Sequence, residues 1–223
     1  LQKKVLDLIG GDIVNTPVPD LLSPAGRVIP LSDMTSGQLA RRAKIIEEVI
    51  DLIGAVGADA VQMRDVAQRS GVALATLYRY FSSKENLLAA ALADWQKRLT
   101  RRILSGGGPS QSDPLPGVLD YLSRAQRAFN RNPAMTALML QMMTSTDPEV
   151  RSSIDQMERT NVELFNRLLA GVAPELVPQV SFGLNAALSA ALAGLRAGRL
   201  TLDDSLNHVE WVARVLLAGA HAD

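Results

Sequence analysis

The sequence predicts an all-α protein: an N-terminal three-helix unit built around a helix-turn-helix, with a larger helical domain behind it. Three observations predict this. From Gln38 onward, apolar residues recur with the 3.6-residue period of a helix. No segment alternates as a half-buried strand does, and aromatic residues make up only 4% of the chain. Glycine, proline and capping residues interrupt the pattern at helix-length intervals.

The elements follow in order. Residues 1–35 differ from the rest, because Asn15, Pro17, Pro19, Pro24, Gly26 and Pro30 break any periodicity. They read as a poorly packed arm, or as an extension ahead of a natural start at Met34. A first helix carries Ala43, Ile46, Ile50, Ile53 and Val56 in one stripe and stops at Gly57. A short helix over Met63–Ser70 turns Met63, Val66 and Ala67 inward. Ser70-Gly71 makes a turn in which glycine supplies the positive φ. A second short helix covers Leu74–Tyr80. Ser82 and Glu85 have capping-box spacing, so a fourth helix is expected to start there and run through Leu87, Leu88, Leu92, Trp95 and Leu99.

The stretch Ser105–Ser112 reads as a flexible connection. Beyond it, Asp113-Pro114 and Asp147-Pro148 each put an N-cap acid before a proline at the first helical position. Asn132-Pro133 marks another break. Helices are expected near 114–131, 134–144, 148–170, 175–198 and 203–219. The domains expected are an arm over 1–35, the helix-turn-helix unit over 36–90, and a second helical domain over 91–223.

Composition excludes several classes. Lys+Arg and Asp+Glu both number 23, so any basic footprint must be local. There is no cysteine, hence no disulfide, thiol nucleophile or thiolate metal site. The two histidines, His208 and His221, have no third ligand at metal-site spacing. No metal or cofactor is expected, and enzymatic turnover is disfavoured. Val180–Leu195 is the most apolar run, but Asn185, Ser189 and the closing Arg196 deny it the length of a membrane span. With no secretory signal pattern, the expected location is the cytoplasm.

The stretch Val61–Lys84 carries the functional reading. Leu77 and Phe81, four apart, share the buried side of the second short helix. Thr76, Tyr78, Arg79 and Tyr80 project elsewhere. A helix of this length is not stable alone, so its neighbours must clamp it. Hydroxyl, phenol and guanidinium groups hydrogen-bond phosphates and base edges, which is what a DNA-reading helix needs. Arg41, Arg42 and Lys44 on the first helix read equally as phosphate contacts or as a solvated face.

The run Thr76-Leu77-Tyr78-Arg79-Tyr80-Phe81-x-x-Lys84, preceded by Gly71-Val72, resembles the TetR family of one-component regulators. The resemblance covers about residues 40–90 and implies a TetR-like fold, with a C-terminal ligand-binding and dimerisation domain. It implies that Arg64 contacts bases, that Thr76, Tyr78 and Tyr80 contact the DNA backbone, that Arg79 reaches the groove, and that Lys84 anchors a phosphate. Ala73 and Gln62 stand where the family often has hydroxyl caps, which weakens both short helices by about 1 kcal/mol each. Leu74 and Ala75 offer methyl contacts, suited to thymine methyl groups.

In the second domain, Met135, Leu138, Met139, Met142 and Met143 crowd one segment. Methionine adapts to large apolar ligands, although ordinary core packing explains such a cluster equally well. Leu122, Phe129, Met157 and Phe165 are candidates to complete the cavity. Ala186, Ala187, Ala190 and Ala191 on the penultimate helix, with Leu206, Val209, Val212 and Leu216 on the last, form an apolar surface that a symmetric partner would cover. The resemblance implies a homodimer through these two helices.

The segments Gln62–Ala67, Thr76–Lys84 and Arg127–Met139 are similar to the TetR-type repressors of steroid and cholesterol catabolism in actinobacteria, which implies a steroid-derived acyl-CoA inducer. The expected function is a repressor that binds a palindromic operator in double-stranded DNA as a dimer and is released by an apolar small molecule. The alternative is a helical binding protein or enzyme for an apolar ligand that never meets DNA. No membrane partner is expected.

Overall fold

The computed structural model describes residues 28–105 and 113–220, apart from the side chains at positions 149, 152, 156, 158 and 160. Positions 1–27 of the expected arm and 106–112 of the expected connection lie outside the described residues. The regular elements among the described residues are helices. A 3-10 turn at Leu31–Asp33 precedes α1 (Ser36–Val56), α2 (Met63–Ser70), α3 (Leu74–Tyr80), α4 (Lys84–Leu104), α5 (Leu115–Arg131), α6 (Pro133–Met142), α7 (Pro148–Leu168), α8 (Val177–Arg196) and α9 (Leu202–Ala218).

Helix α1 starts two residues before the apolar period shows. Thr35 and Gln38 form a reciprocal capping box: the Thr35 hydroxyl accepts from the Gln38 amide, and the Gln38 side chain accepts from the Thr35 amide at 2.8 Å. Its buried side is Ile45, Ile46, Val49, Leu52 and Ile53, so the expected stripe is rotated, with Ala43 and Val56 exposed. Helix α4 is capped by Ser83, whose hydroxyl accepts from the Asn86 amide at 3.0 Å, and not by Ser82 as the spacing with Glu85 predicted. Asp147 caps α7 as expected, accepting from the Val150 amide. Asp113 accepts from the Leu115 amide at 3.0 Å, with Pro114 rather than Asp113 in the cap position.

The last residues of the expected arm are packed, which corrects that part of the sequence reading. Met34 is buried, Ile29 lies against the core, and the Ile29 amide donates to the Arg79 carbonyl at 2.9 Å. An apolar residue every few positions is enough to hold a strap without helical periodicity.

Two cores meet along α4. The first joins α1–α4 to Phe129 of α5, to α6 and to Val150 of α7. The second lies among α5, the end of α7, α8 and α9. Trp95 on α4 packs edge-on against Phe129, 5.0 Å between ring centres. The expected boundary after residue 90 therefore falls inside a continuous helix. Arg98 of α4 also bridges to Glu47 of α1 at 3.1 Å, an exposed pair worth less than about 1 kcal/mol beside the apolar contacts.

Candidate nucleic-acid interface

Helices α2 and α3 are joined by Gly71, whose φ of 66° lies in the left-handed region. The Gly71 amide bonds back to the last turn of α2, and the Val72 amide reaches the Ala67 carbonyl at 3.0 Å. Neither Gln62 nor Ala73 gives its helix a side-chain cap. Burial compensates for this. Leu77 and Phe81 are fully buried, and a buried side chain of that size contributes about 1.5–3 kcal/mol against about 1 kcal/mol for a lost cap. The hydrogen bond from Ile29 to Arg79 fastens the far end of α3.

This clamping sorts the candidate contact residues. Arg64 on α2 and Ala75 and Arg79 on α3 are exposed; Leu74, Thr76 and Tyr78 are half-buried and keep part of their surface outward. Tyr80 is the least accessible of them, 5% exposed, with its ring in the core beside Leu77 and Phe81. Lys84, at the start of α4, donates to the Asp59 carbonyl at 2.7 Å and so ties α4 to the loop before α2. An ammonium has three donors, so two remain for an outside acceptor. Arg69 is engaged with Glu48 at 3.3 Å. Arg41 and Lys44 are exposed, whereas Arg42 is half-buried over the Phe81 ring and leaves the set of phosphate candidates.

The candidate ligand residues are divided between the two cores. Phe129, Met135, Leu138, Met139 and Met142 belong to the first, with Met157 packed at its edge. Leu122 and Phe165 belong to the second, where Phe165 meets Tyr121 edge-on. Met143, at 55% exposure, belongs to neither. The methionine-rich segment is thus packed against α4 and α8, and the nine residues do not converge on one space.

The candidate dimer residues also divide. Ala186 and Ala190 are exposed, and Ala187, Leu206, Val212 and Leu216 are half-buried. Ala191 and Val209 are corrections, since both are buried inside this chain between α8, α9 and α5. The buried line of α9 is Ser205, Val209, Ala213 and Leu217. On its outer side stand Trp211, 66% exposed, and Val215; α8 contributes Phe182, 77% exposed. A Cβ at Gly183 would lie 2.8 Å from the Leu216 side chain, so α8 and α9 approach closely there. The sequence reading missed these aromatic residues, although Trp211 and Val215 stand four apart, the spacing of a shared face.

Among the described residues no helix is long and apolar enough to cross a membrane, and no group of three or more His, Cys, Asp or Glu could hold a metal ion.

Residues 45–91 match the family described as bacterial regulatory proteins, tetR family. The chain is 36% identical over 140 residues to the HTH-type transcriptional repressor KstR of Rhodococcus jostii strain RHA1, covering 63% of this chain and 65% of that protein, just under two thirds of its length. It is 32% identical over 145 residues to the KstR repressor of Mycolicibacterium smegmatis, covering 63% of this chain and 68% of the relative. In structure it is similar to a TetR transcriptional regulator from Rhodococcus sp. RHA1, with a TM-score of 0.66 and 27% identity over 82% of this chain and 98% of the other.

Proposed function

Because the chain belongs to the TetR family of bacterial regulatory proteins, we propose that it is a dimeric, ligand-responsive transcriptional repressor acting on a palindromic DNA operator in the cytoplasm. One observation carries this reading. Helix α3 is held by Leu77, Tyr80 and Phe81 on one side, while Ala75, Thr76, Tyr78 and Arg79 keep surface on the other. A seven-residue helix fastened this way, with Arg64 exposed on the helix before it, suits a major groove.

The partner surface is the outer side of α8 and α9. Phe182, Trp211 and Val215, flanked by Ala186 and Ala190, form an apolar patch with the aromatic content typical of interface centres. Isologous contact of this patch would present two recognition helices about 34–36 Å apart, the spacing of successive major grooves.

The inducer is an apolar small molecule of the steroid or fatty acyl-CoA type, acting in the effector half over residues 114–170. The likeness of the Arg127–Met139 segment to steroid-catabolism repressors supports this choice. Helix α4 runs from one core into the other, so a ligand that favours one packing of the second half shifts the helix-turn-helix with it.

Salt-titrated fluorescence anisotropy on a palindromic fragment from the gene's own promoter tests the proposal. Phosphate anchoring requires affinity to fall steeply with salt and the complex to contain a dimer. Affinity indifferent to salt, or no complex with any promoter fragment, would overturn it.

A further inference from the structure

A cavity of about 400 Å³ opens between α1, α4 and α7, beside the 3-10 turn. This is within the size range of small-molecule sites. Ile46, Ala90, Ala93 and Met157 give it apolar walls, and its charged lining is Arg42, Lys97 and Arg159 together with the Asp94 carboxylate. It takes from the expected ligand residues only Met157, so it is distinct from the methionine cluster.

Arg42 is the unusual member. Its guanidinium carbon lies 4.8 Å from the centre of the Phe81 ring. Its Nε is buried and has no hydrogen-bond acceptor. Burial pushes its pKa below the ordinary arginine value, partly offset by Asp94. Asp94 does not bond to it; that carboxylate is engaged by Arg98 at 2.6 Å. A half-buried cation with a donor left unmatched is costly in a stable fold unless something else provides the acceptor. Lys97, exposed on the rim, and Arg159 bring the lining to three positive charges against the one carboxylate of Asp94.

The cavity is one residue removed from each fastening of α3. Phe81, under Arg42, is the residue that ends α3. Leu31, which also borders the cavity, lies two residues from Ile29, whose amide holds the Arg79 carbonyl.

We propose that this cavity is a ligand site of its own. It takes the apolar chain of a small amphiphile against Ile46, Ala90, Ala93 and Met157 and its carboxylate or phosphate against Arg42. Occupancy reaches the recognition helix because an anion competes with the Phe81 ring for the same guanidinium. The binding step does not depend on the DNA reading, and its test uses no DNA.

The full chain is titrated calorimetrically with decanoate, decyl phosphate and decanol, and amide exchange is followed with and without decanoate. Both anions should bind at least tenfold more tightly than decanol, and whichever binds tighter identifies the head group. Arg42→Gln should reduce both anions to the decanol level. Lys97→Glu, an exposed change that keeps the test valid if Arg42→Gln folds poorly, should weaken both anions at least threefold and leave decanol unchanged. Exchange at Ile29 and at Arg79–Phe81 should change on adding decanoate to the wild type. Equal affinity for all three compounds, no binding of any, or an anion preference unmoved by the substitutions overturns the site. Unchanged exchange at Ile29 and Arg79–Phe81 overturns the link to α3.

Discussion

The Lys84 ammonium donates a 2.7 Å hydrogen bond to the carbonyl of Asp59, closing the start of α4 onto the loop that leads into α2. The residue that the family resemblance implies as a phosphate anchor is therefore also a clasp within its own domain. The two roles separate experimentally. Lys84→Met should lower stability by about 1 kcal/mol, the worth of an accessible hydrogen bond. It should also weaken DNA binding on all sequences alike and make the salt slope shallower by about one. A lower melting temperature with an unchanged slope would leave Lys84 a purely structural residue.

Arg79 and Tyr80 are neighbours with opposite fates. Arg79→Ala should leave the melting temperature within about 1 °C, because its side chain is exposed, and should weaken operator binding by about 1–3 kcal/mol if the guanidinium meets a base edge. Tyr80→Ala should destabilise the fold by about 3–5 kcal/mol, as truncation of a buried aromatic ring does. Thermal melts alongside anisotropy distinguish them; a stable Tyr80→Ala protein with impaired DNA binding would contradict the burial described here.

Gly71 has open space where a Cβ would stand, so only its φ of 66° resists substitution. Gly71→Ala should cost about 1–2 kcal/mol, and Gly71→Asn less, since asparagine tolerates the left-handed region. Denaturant midpoints measured for both variants check the order. Equal losses would mean that the turn yields rather than strains.

Trp211 and Phe182 present the largest exposed aromatic surface described in the chain. Trp211→Glu should convert a dimer to a monomer at micromolar concentration while preserving helical content, because the side chain supports no core of its own. Sedimentation velocity reads the outcome. An unchanged sedimentation coefficient would move the interface elsewhere.

The capping box at the start of α9 predicts a pH dependence. Thr201 donates from its hydroxyl and amide to Asp204, which holds that carboxyl below the usual aspartate range. A depressed folded-state pKa stabilises above the unfolded value near 3.8 and loses that contribution as pH falls through the folded value. Thr201→Ala should therefore lower the melting temperature at neutral pH, with the gap from wild type narrowing in acid below pH 4. A gap independent of pH would assign the loss to the helix cap alone.

Much of the fold is legible in the sequence because the signals are local. Gly71 marks the turn through its own backbone preference, and the limits Leu74–Tyr80 follow from the turn before and the serines after. Asp147-Pro148 announces α7 for the same reason. The strap around Ile29 was not legible, since its hold on Arg79 is a single backbone bond across 50 positions. Nor was the choice of Ser83 over Ser82 as the cap, since two adjacent serines offer the same hydroxyl. The candidate ligand residues failed to converge because composition marks a residue as apolar without saying which core receives it.

The sequence by itself determined the order and kind of the elements, the glycine turn and the identity of the short helix offered outward. The tertiary structure decided how wide the buried side of that helix is. The spacing of Leu77 and Phe81 set its inner face, but packing against the rest of the first core drew in Tyr80, three residues from Leu77, and left Tyr78 half-buried. The same holds for α9, where the line Ser205, Val209, Ala213 and Leu217 turned inward and left Trp211 outside. Burial is a property of neighbours, and distant segments supply those neighbours only once the chain has folded.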